Sequence, residues 1–342
     1  MSEVFVGPLE AGLDRLSSPR GPLPVITDER VWALHGSVLR ERLPVEPLFV
    51  PEGEAGKGWA VLEALLHGLA RIDPGRDTPV ITFGGGSVGD VGGLVASLFK
   101  RGCPLVAIPT TLLAQADSSL GGKTAIDFAG AKNLVGTFHP PALVLADPAL
   151  LATLPERQLR AGYAEVVKYG LIDDPAFFAW CEVEGAGLLA GHLTHLEQAI
   201  RHCLAAKARL VAGDVDDCKG QRMLLNLGHS FAHAIEAEAG LGRVLHGEAV
   251  AIGLVLAFRL SARLDLCSPD DASRVERHLG AVGLPTRLHD AGVGGPPLLA
   301  HMASDKKNAA GGLTLVLARG IGRAFVSRGV PPEAVAAFLA EA

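Results

Sequence analysis

The sequence predicts an α/β N-terminal half built on a mostly parallel sheet, followed by a mainly α-helical C-terminal half, with domains at 1–155 and 156–342. Three observations carry this. Up to about residue 150, short β-branched runs alternate with stretches of helical period, and beyond 155 the period is almost wholly helical. The 342 residues also exceed one ordinary core at a prior of ~150 residues per domain.

Taken in order, LPVIT (23–27) reads as a strand, 28–42 as a helix, EPLFV (46–50) as a strand and 57–71 as a helix. PVITF (79–83), a helix over 88–99 and PLVAI (104–108) continue the alternation. Such βαβ units put ligands at the carboxyl ends of the strands. In the second half, helical period runs through 160–170, 192–212, 226–240, 246–265 and 270–281. A late hairpin is expected around LTLVLARGIGRAFV (313–326), and the boundary falls near ATLPER (152–157).

Composition excludes several classes. Apolar residues at 49%, charged residues at 20%, 42 Gly and 22 Pro describe a compact, loop-punctuated protein rather than a disordered one. A formal net charge of −6 argues against nucleic acid as a partner and leaves room for a local basic pocket. Cys103, Cys181, Cys203, Cys218 and Cys267 are widely spaced without a C-x-x-C, which favours reduced thiols in the cytoplasm. MSEVFVGPLE is acidic and lacks the apolar core of a signal peptide, and AVAIGLVLAF (249–258) falls short of the ~20 residues a membrane span needs.

After PVITF, the segment GGGSVGD sets Gly84, Gly86 and Gly89 in a G-x-G-x-x-G pattern opening a helix, a Rossmann-like turn for a pyrophosphate. The acidic residue expected about twenty positions on is missing. PEGEAGK (51–57) instead offers Glu52 and Glu54 to a ribose. Between 109 and 139, Asp117, Lys123, Lys132 and Asn133 lie among glycines and small residues with little periodicity, a pattern suited to a phosphate or carboxylate or to a solvated loop.

In the helical half, Glu165 and Lys168 in AGYAEVVKYG are i, i+3 neighbours, a surface pair by default and a metal or cation site if buried. NLGHSFAHAIE (226–236) puts His229, His233 and Glu236 on one helical face, and VLHGEAVAIG adds His246 and Glu248. Two histidines and a carboxylate suit a catalytic zinc. Spacing leaves three readings open: His229/His233/Glu236, His229/His246/Glu165, and no metal at all. SDKKNAAGG (304–312) and Arg222 supply further cations suited to a multiply charged anion.

Together, GGGSVGDVGG, RGCPLVAIPTTLLAQADSSLGGKTAID, GAKNLVG, LATLPER, AGYAEVVKYGLI, RMLLNLGHSFAHAIE, LHGEAVAIG and DKKN, in this order over roughly residues 50–310, resemble the 3-dehydroquinate synthase family. The resemblance implies a dehydroquinate synthase-like fold with an N-terminal NAD-binding domain and a C-terminal metal- and substrate-binding domain, assembled as a homodimer. It makes Glu165, His229 and His246 the ligands of a divalent metal, usually zinc, and histidine and carboxylate donors also suit cobalt or manganese. Around NAD it sets Glu52, Gly53, Glu54, Ala55, Gly56, Lys57, Gly86, Ser87, Val88, Gly89, Asp90, Thr110, Thr111, Lys123, Lys132, Leu150, Leu151, Ala152 and Thr153.

To the substrate phosphate the resemblance assigns Lys123, Asn133, Asn226, His233 and Lys306, with Arg101 of the partner subunit. Arg222 takes the carboxylate, and Asp117, Lys168 and Lys207 line the ring-hydroxyl side. The implied reaction on a seven-carbon keto-acid sugar phosphate is transient oxidation by NAD, phosphate elimination, re-reduction and intramolecular aldol closure. One departure is DVDDCKGQ (214–221), one residue longer than the family's acidic D-E-x-E segment, where Asp214, Asp216 and Asp217 compete for the glutamate's place. Ser230 for threonine and Ala232 for glycine are small changes. Rival readings are a 2-deoxy-scyllo-inosose or valiolone synthase, against which Arg222 and Lys306 speak, a polyol dehydrogenase of the glycerol dehydrogenase type, and a non-catalytic NAD-binding module.

Overall fold

A computed structural model describes residues 2–16, 21–212, 214, 220–240, 242–303 and 312–342. Two compact units emerge, the first of Met1–Pro155 with Leu196–Ala208 and the second of Glu156–His195 with Arg209–Ala342. The stretch 196–208, read from sequence as part of the second half, packs with the first.

The first unit runs β1 (Glu3–Val6), α1 (Leu9–Leu13), β2 (Leu23–Asp28), α2 (Glu29–Arg40), β3 (Val45–Val50), α3 (Trp59–Ile72), β4 (Val80–Gly84), α4 (Gly86–Leu98), β5 (Leu105–Pro109), the hairpin β6 (Lys123–Phe128) and β7 (Ala131–Phe138), and β8 (Leu143–Ala146). The sheet is parallel throughout, in the order β1-β8-β5-β4-β2-β3. Successive residues face opposite cores: Ile26, Val80 and Leu105 pack with α3 and α4, while Val25, Ile81 and Val106 pack with α1 and α2. A sheet covered on both faces explains why these strands read as continuous apolar runs.

Strand order reverses between β2 and β4, because β3 lies outside β2 and every later strand lies on the other side. The carboxyl ends of these two strands therefore bound the crevice where open α/β sheets take ligands. Between 109 and 139 the chain is more regular than its periodicity suggests. A π-helical turn spans Ala114–Ser118, and β6 pairs antiparallel with β7.

The second unit is mainly helical: α5 (Glu156–Asp173), α6 (Pro175–Leu189), α7 (Leu193–Val211, whose middle joins the first unit), α8 (His229–Ala239), α9 (His246–Arg263), α10 (Pro269–Ala281), α11 (Gly295–Ala303), the hairpin β9 (Leu313–Ala318) and β10 (Ala324–Val330), and α12 (Pro332–Leu339). Along α9 every residue from Ala249 to Phe258 is buried. That accounts for the apolar run 249–258 as the centre of a helical core. Among the described residues no helix is long and apolar enough to cross a membrane.

Candidate active site

Three helices of the second unit converge on one cluster. Glu165 comes from the buried middle of α5, His229 is the first residue of α8, and His246 is the first residue of α9. Among the described residues, these three form the one group of histidine, cysteine and carboxylate side chains whose donor atoms all lie within 4.8 Å of one another. Of the readings left open by spacing, the set His229/His246/Glu165 is the one that comes together.

Local backbone explains the convergence. Gly228 precedes His229 with φ at 78°, and a Cβ there would stand 2.7 Å from Leu254 N. That left-handed residue starts α8 at 229 rather than 226. Gly247 follows His246, and a Cβ on it would meet Ala161 O at 1.8 Å, so α9 crosses α5 backbone to backbone.

Glu165 Oε1 lies 3.4 Å from Nε2 of both His229 and His246. A tetrahedral ion with ligand bonds of about 2.0–2.1 Å sets its donors about 3.4 Å apart, so these separations are those of a site for zinc. The carboxylate divides its two oxygens: Oε1 faces the imidazoles, and Oε2 lies 2.5 Å from Lys168 Nζ. Both Glu165 and Lys168 are buried, so the pair is not the solvated one that spacing alone suggests. One carboxylate and two imidazoles leave a fourth position for a substrate oxygen, and the donor chemistry fits zinc and cobalt alike.

Charge states follow from these contacts. Burial works against ionised Glu165, yet Lys168 and the two histidines hold its carboxyl well below the usual range. Burial pushes the His229 imidazole down. It works the same way on His246, but hydrogen bonds to Glu165 and Glu236 push that imidazole up to about 10.

Other sequence-predicted residues of this unit fall around the cluster to different degrees. The His233 ring centroid is 5.7 Å from that of His229 and 6.2 Å from that of His246, with the side chain exposed. Arg222 and Asn226 open and close a 3₁₀ turn over Arg222–Asn226, Arg222 buried and its backbone N–H donating to Asp214 Oδ2 at 3.2 Å. Asp214 is itself buried. Lys306, Asp216 and Asp217 lie outside the described residues. Glu248 pairs with Arg157 at 2.6 Å and accepts from Leu245 N at the start of α9.

In the first unit the glycine turn stands where the strand order reverses: β4 ends at Gly84 and α4 begins at Gly86. Its residues Gly84, Gly86, Gly89 and Asp90 line a cleft together with Ser118 and Lys123. A side chain at Gly89 would meet nothing within 4 Å, so that face of the helix start is open to a ligand. Thr110 is buried with its N–H on Gly84 O, and Thr111 Oγ1 accepts from Ala114 N. Leu150, Leu151, Ala152 and Thr153 form a 3₁₀ turn, Thr153 Oγ1 lying 2.8 Å from His35 Nε2.

The PEGEAGK segment folds as a 3₁₀ turn over Gly53–Lys57, with Glu52 as its N-cap. Lys57 is buried and bonds Asp90 at 2.8 Å and the side chain of Asn133, with Glu54 at 3.7 Å and Asp127 at 4.0 Å. Burial opposes its charge, but Asp90 and Glu54 hold the Lys57 ammonium above its ordinary range. Asn133 sits in the left-handed region with φ at 52°, fixed by Asp127 accepting from its N–H. Asp127 is a member of this network that sequence reasoning missed, although K-T-A-I-D-F carried a strand alternation that could have found it. Lys207 Nζ reaches Asp117 Oδ1 at 2.6 Å and Asp117 O at 2.8 Å, joining two residues ninety positions apart. Lys123 and Asn133 are exposed, Lys132 half-buried, and Arg101 exposed with φ at 65°.

Comparison with known proteins adds independent findings. Residues 47–161 match the family described as 3-dehydroquinate synthase N-terminal, and residues 162–308 match 3-dehydroquinate synthase C-terminal. The chain is 49% identical over 323 residues to the 3-dehydroquinate synthase of Zymomonas mobilis subsp. mobilis, covering 92% of this chain and 85% of the relative. Among solved structures it is similar to 2-epi-5-epi-valiolone synthase of Streptomyces hygroscopicus subsp. jinggangensis with NAD+ and Zn2+ bound, at a TM-score of 0.91, 30% identity, and 99% and 96% coverage of the two chains. It is also similar to a 2-deoxy-scyllo-inosose synthase complexed with carbaglucose-6-phosphate, NAD+ and Co2+, at a TM-score of 0.88, 26% identity and the same coverage.

Proposed function

The chain belongs to the 3-dehydroquinate synthase family, and we infer that it converts 3-deoxy-D-arabino-heptulosonate 7-phosphate to 3-dehydroquinate and phosphate. The single observation that carries the chemistry is the Glu165/His229/His246 cluster with its 3.4 Å donor separations. NAD and a divalent metal belong to this reading, supported by that donor set, by the open glycine turn at the strand reversal, and by the ligands of the two similar solved structures. When bound, NAD supplies a transient hydride acceptor and zinc polarises the hydroxyl being oxidised.

The chain's own residues then divide the work. Glu165, His229 and His246 hold the metal, and Lys168 balances the carboxylate charge from the opposite oxygen. The Gly86–Asp90 turn, the Gly53–Lys57 turn, Thr110, Thr111, Lys132 and the Leu150–Thr153 turn hold the dinucleotide. Lys123, Asn133, Asn226, His233 and Lys306 bind the phosphate that leaves, and Arg222 binds the substrate carboxylate bidentately. Asp117 and Lys207, already paired at 2.6 Å, bind ring hydroxyls, exchanging part of their mutual contact for the substrate. The same reading makes the protein a cytoplasmic homodimer, with Arg101 of the partner subunit completing the phosphate site. The carboxylate grip at Arg222 separates this substrate from those of the valiolone and inosose synthases.

The test is incubation with NAD, zinc and the keto-acid sugar phosphate, following phosphate and the NADH absorbance together. Stoichiometric phosphate without net NADH is expected. NADH accumulating without phosphate would make the protein a dehydrogenase and overturn the reading.

A further inference from the structure

Helical spacing sets Glu236 beside His229 and His233 as a candidate metal ligand, but the cluster that comes together is Glu165, His229 and His246, without Glu236. Glu236 lies on α8 two turns beyond His229, buried, with Oε2 3.2 Å from Nδ1 of His246. His246 is thus held at both ring nitrogens, Nδ1 by Glu236 and Nε2 by Glu165 at 3.4 Å. His229 is held in the same sense but by a weaker group: its Nδ1 lies 3.2 Å from Leu227 O, and its Nε2 faces Glu165.

We propose that Glu236 is a positioning residue that fixes the tautomer and ring plane of His246 and makes it the stronger of two unequal imidazole donors. The inference rests on the metal assignment made above. A hydrogen on Nδ1 donated to an acceptor leaves the Nε2 lone pair turned into the cluster. Both histidines satisfy that requirement, and only one does so with a carboxylate. A carboxylate acceptor raises the electron density of the ring more than a neutral carbonyl does. The contact also ties α8 to the first residue of α9, so Glu236 fixes His246 in position as well as in charge.

The test compares wild type, Glu236→Gln and Glu236→Asp by zinc release to a chromophoric chelator and by the visible spectrum of the cobalt-loaded protein, with circular dichroism to verify folding. The amide keeps the size and loses the charge, and the shorter acid keeps the charge and withdraws the oxygen. Zinc affinity about 10- to 100-fold weaker is expected in Glu236→Gln, with a shifted cobalt spectrum and unchanged unfolding of the metal-free form. If that variant does not fold, the same loss is expected in Glu236→Asp. Wild-type zinc release and an unaltered cobalt spectrum in either folded variant would overturn the proposal while leaving the metal assignment standing. A wild-type protein that takes up no zinc overturns both.

Discussion

Lys168 Nζ lies 2.5 Å from Glu165 Oε2, one turn along α5, and neither side chain reaches solvent. Removing one member of a buried pair leaves the other charged and desolvated, at a cost of roughly 3–5 kcal/mol. Lys168→Met is therefore expected to destabilise the metal-free protein by that amount and the zinc-loaded protein by less, because the ion supplies the missing positive charge. Urea denaturation with zinc and with a chelator checks this. Equal losses in both would mean that no ion compensates Glu165.

His246→Ala removes one of the three proposed metal donors while sparing the helix, since the residue is at the first turn of α9. Zinc content near one per chain in the wild type is expected to fall to near zero, with the helical circular dichroism retained. Full occupancy in the variant would exclude His246 as a ligand.

Lys306 is assigned to phosphate on the family resemblance alone. Lys306→Ala is expected to slow phosphate release at least tenfold with NAD affinity unchanged, the cost of one charge-assisted contact being about 1.5–3 kcal/mol. An unaffected rate would exclude Lys306 from the phosphate site.

Tyr163 Oη lies 3.0 Å from Cys181 O, to which it donates, and 3.1 Å from Nε2 of the buried His278. Burial holds the His278 imidazole below its ordinary 6.5. The folded state therefore keeps it neutral, and the unfolded chain protonates it first as pH falls. The stability linked to it is present above pH 6.5 and lost below. His278→Gln should be about 1 kcal/mol less stable at pH 8, with the gap to wild type closing toward pH 5.5. Guanidinium denaturation at the two values reads it, and a constant gap would exclude His278 as the titrating group.

Gly247→Ala puts a methyl 1.8 Å from Ala161 O, where only backbone movement relieves the clash. A loss of about 3 kcal/mol is expected, accompanied by weaker zinc binding because His246 moves with its neighbour. Thermal unfolding and metal titration measure both, and a wild-type melting temperature would refute the close approach.

The strands β2, β4 and β5 were legible in the sequence because burial on both faces leaves continuous apolar runs bracketed by helical patterns. β7 was not, since AKNLVGTF is largely exposed on both faces and no alternation marks it. α6 escaped for another reason: PAFFAWCEVEGAGLL has apolar residues around its whole circumference, and no single stripe betrays it. At the site, helical spacing correctly set His229, His233 and Glu236 along one helix without saying what each meets. His229 meets Glu165, Glu236 meets the histidine of another helix, and His233 stays exposed. Spacing within one helix cannot encode a partner that arrives from a second.

The backbone crossings at Gly247 with Ala161 and at Gly253 with Gly228 O, where a Cβ would stand 2.1 Å away, have a consequence for divergence. Distances between the three donor residues are set by main chain pressed on main chain, so exchanges among the surrounding apolar side chains transmit little displacement to them. Such a frame insulates the chemistry from drift in the core and leaves the residues facing the substrate free to vary. A lineage can then change what it cyclises while keeping how it does so, and directed evolution of substrate range is best begun at residues proposed above to meet the substrate, such as Arg222 and Asn226, away from the two glycine crossings.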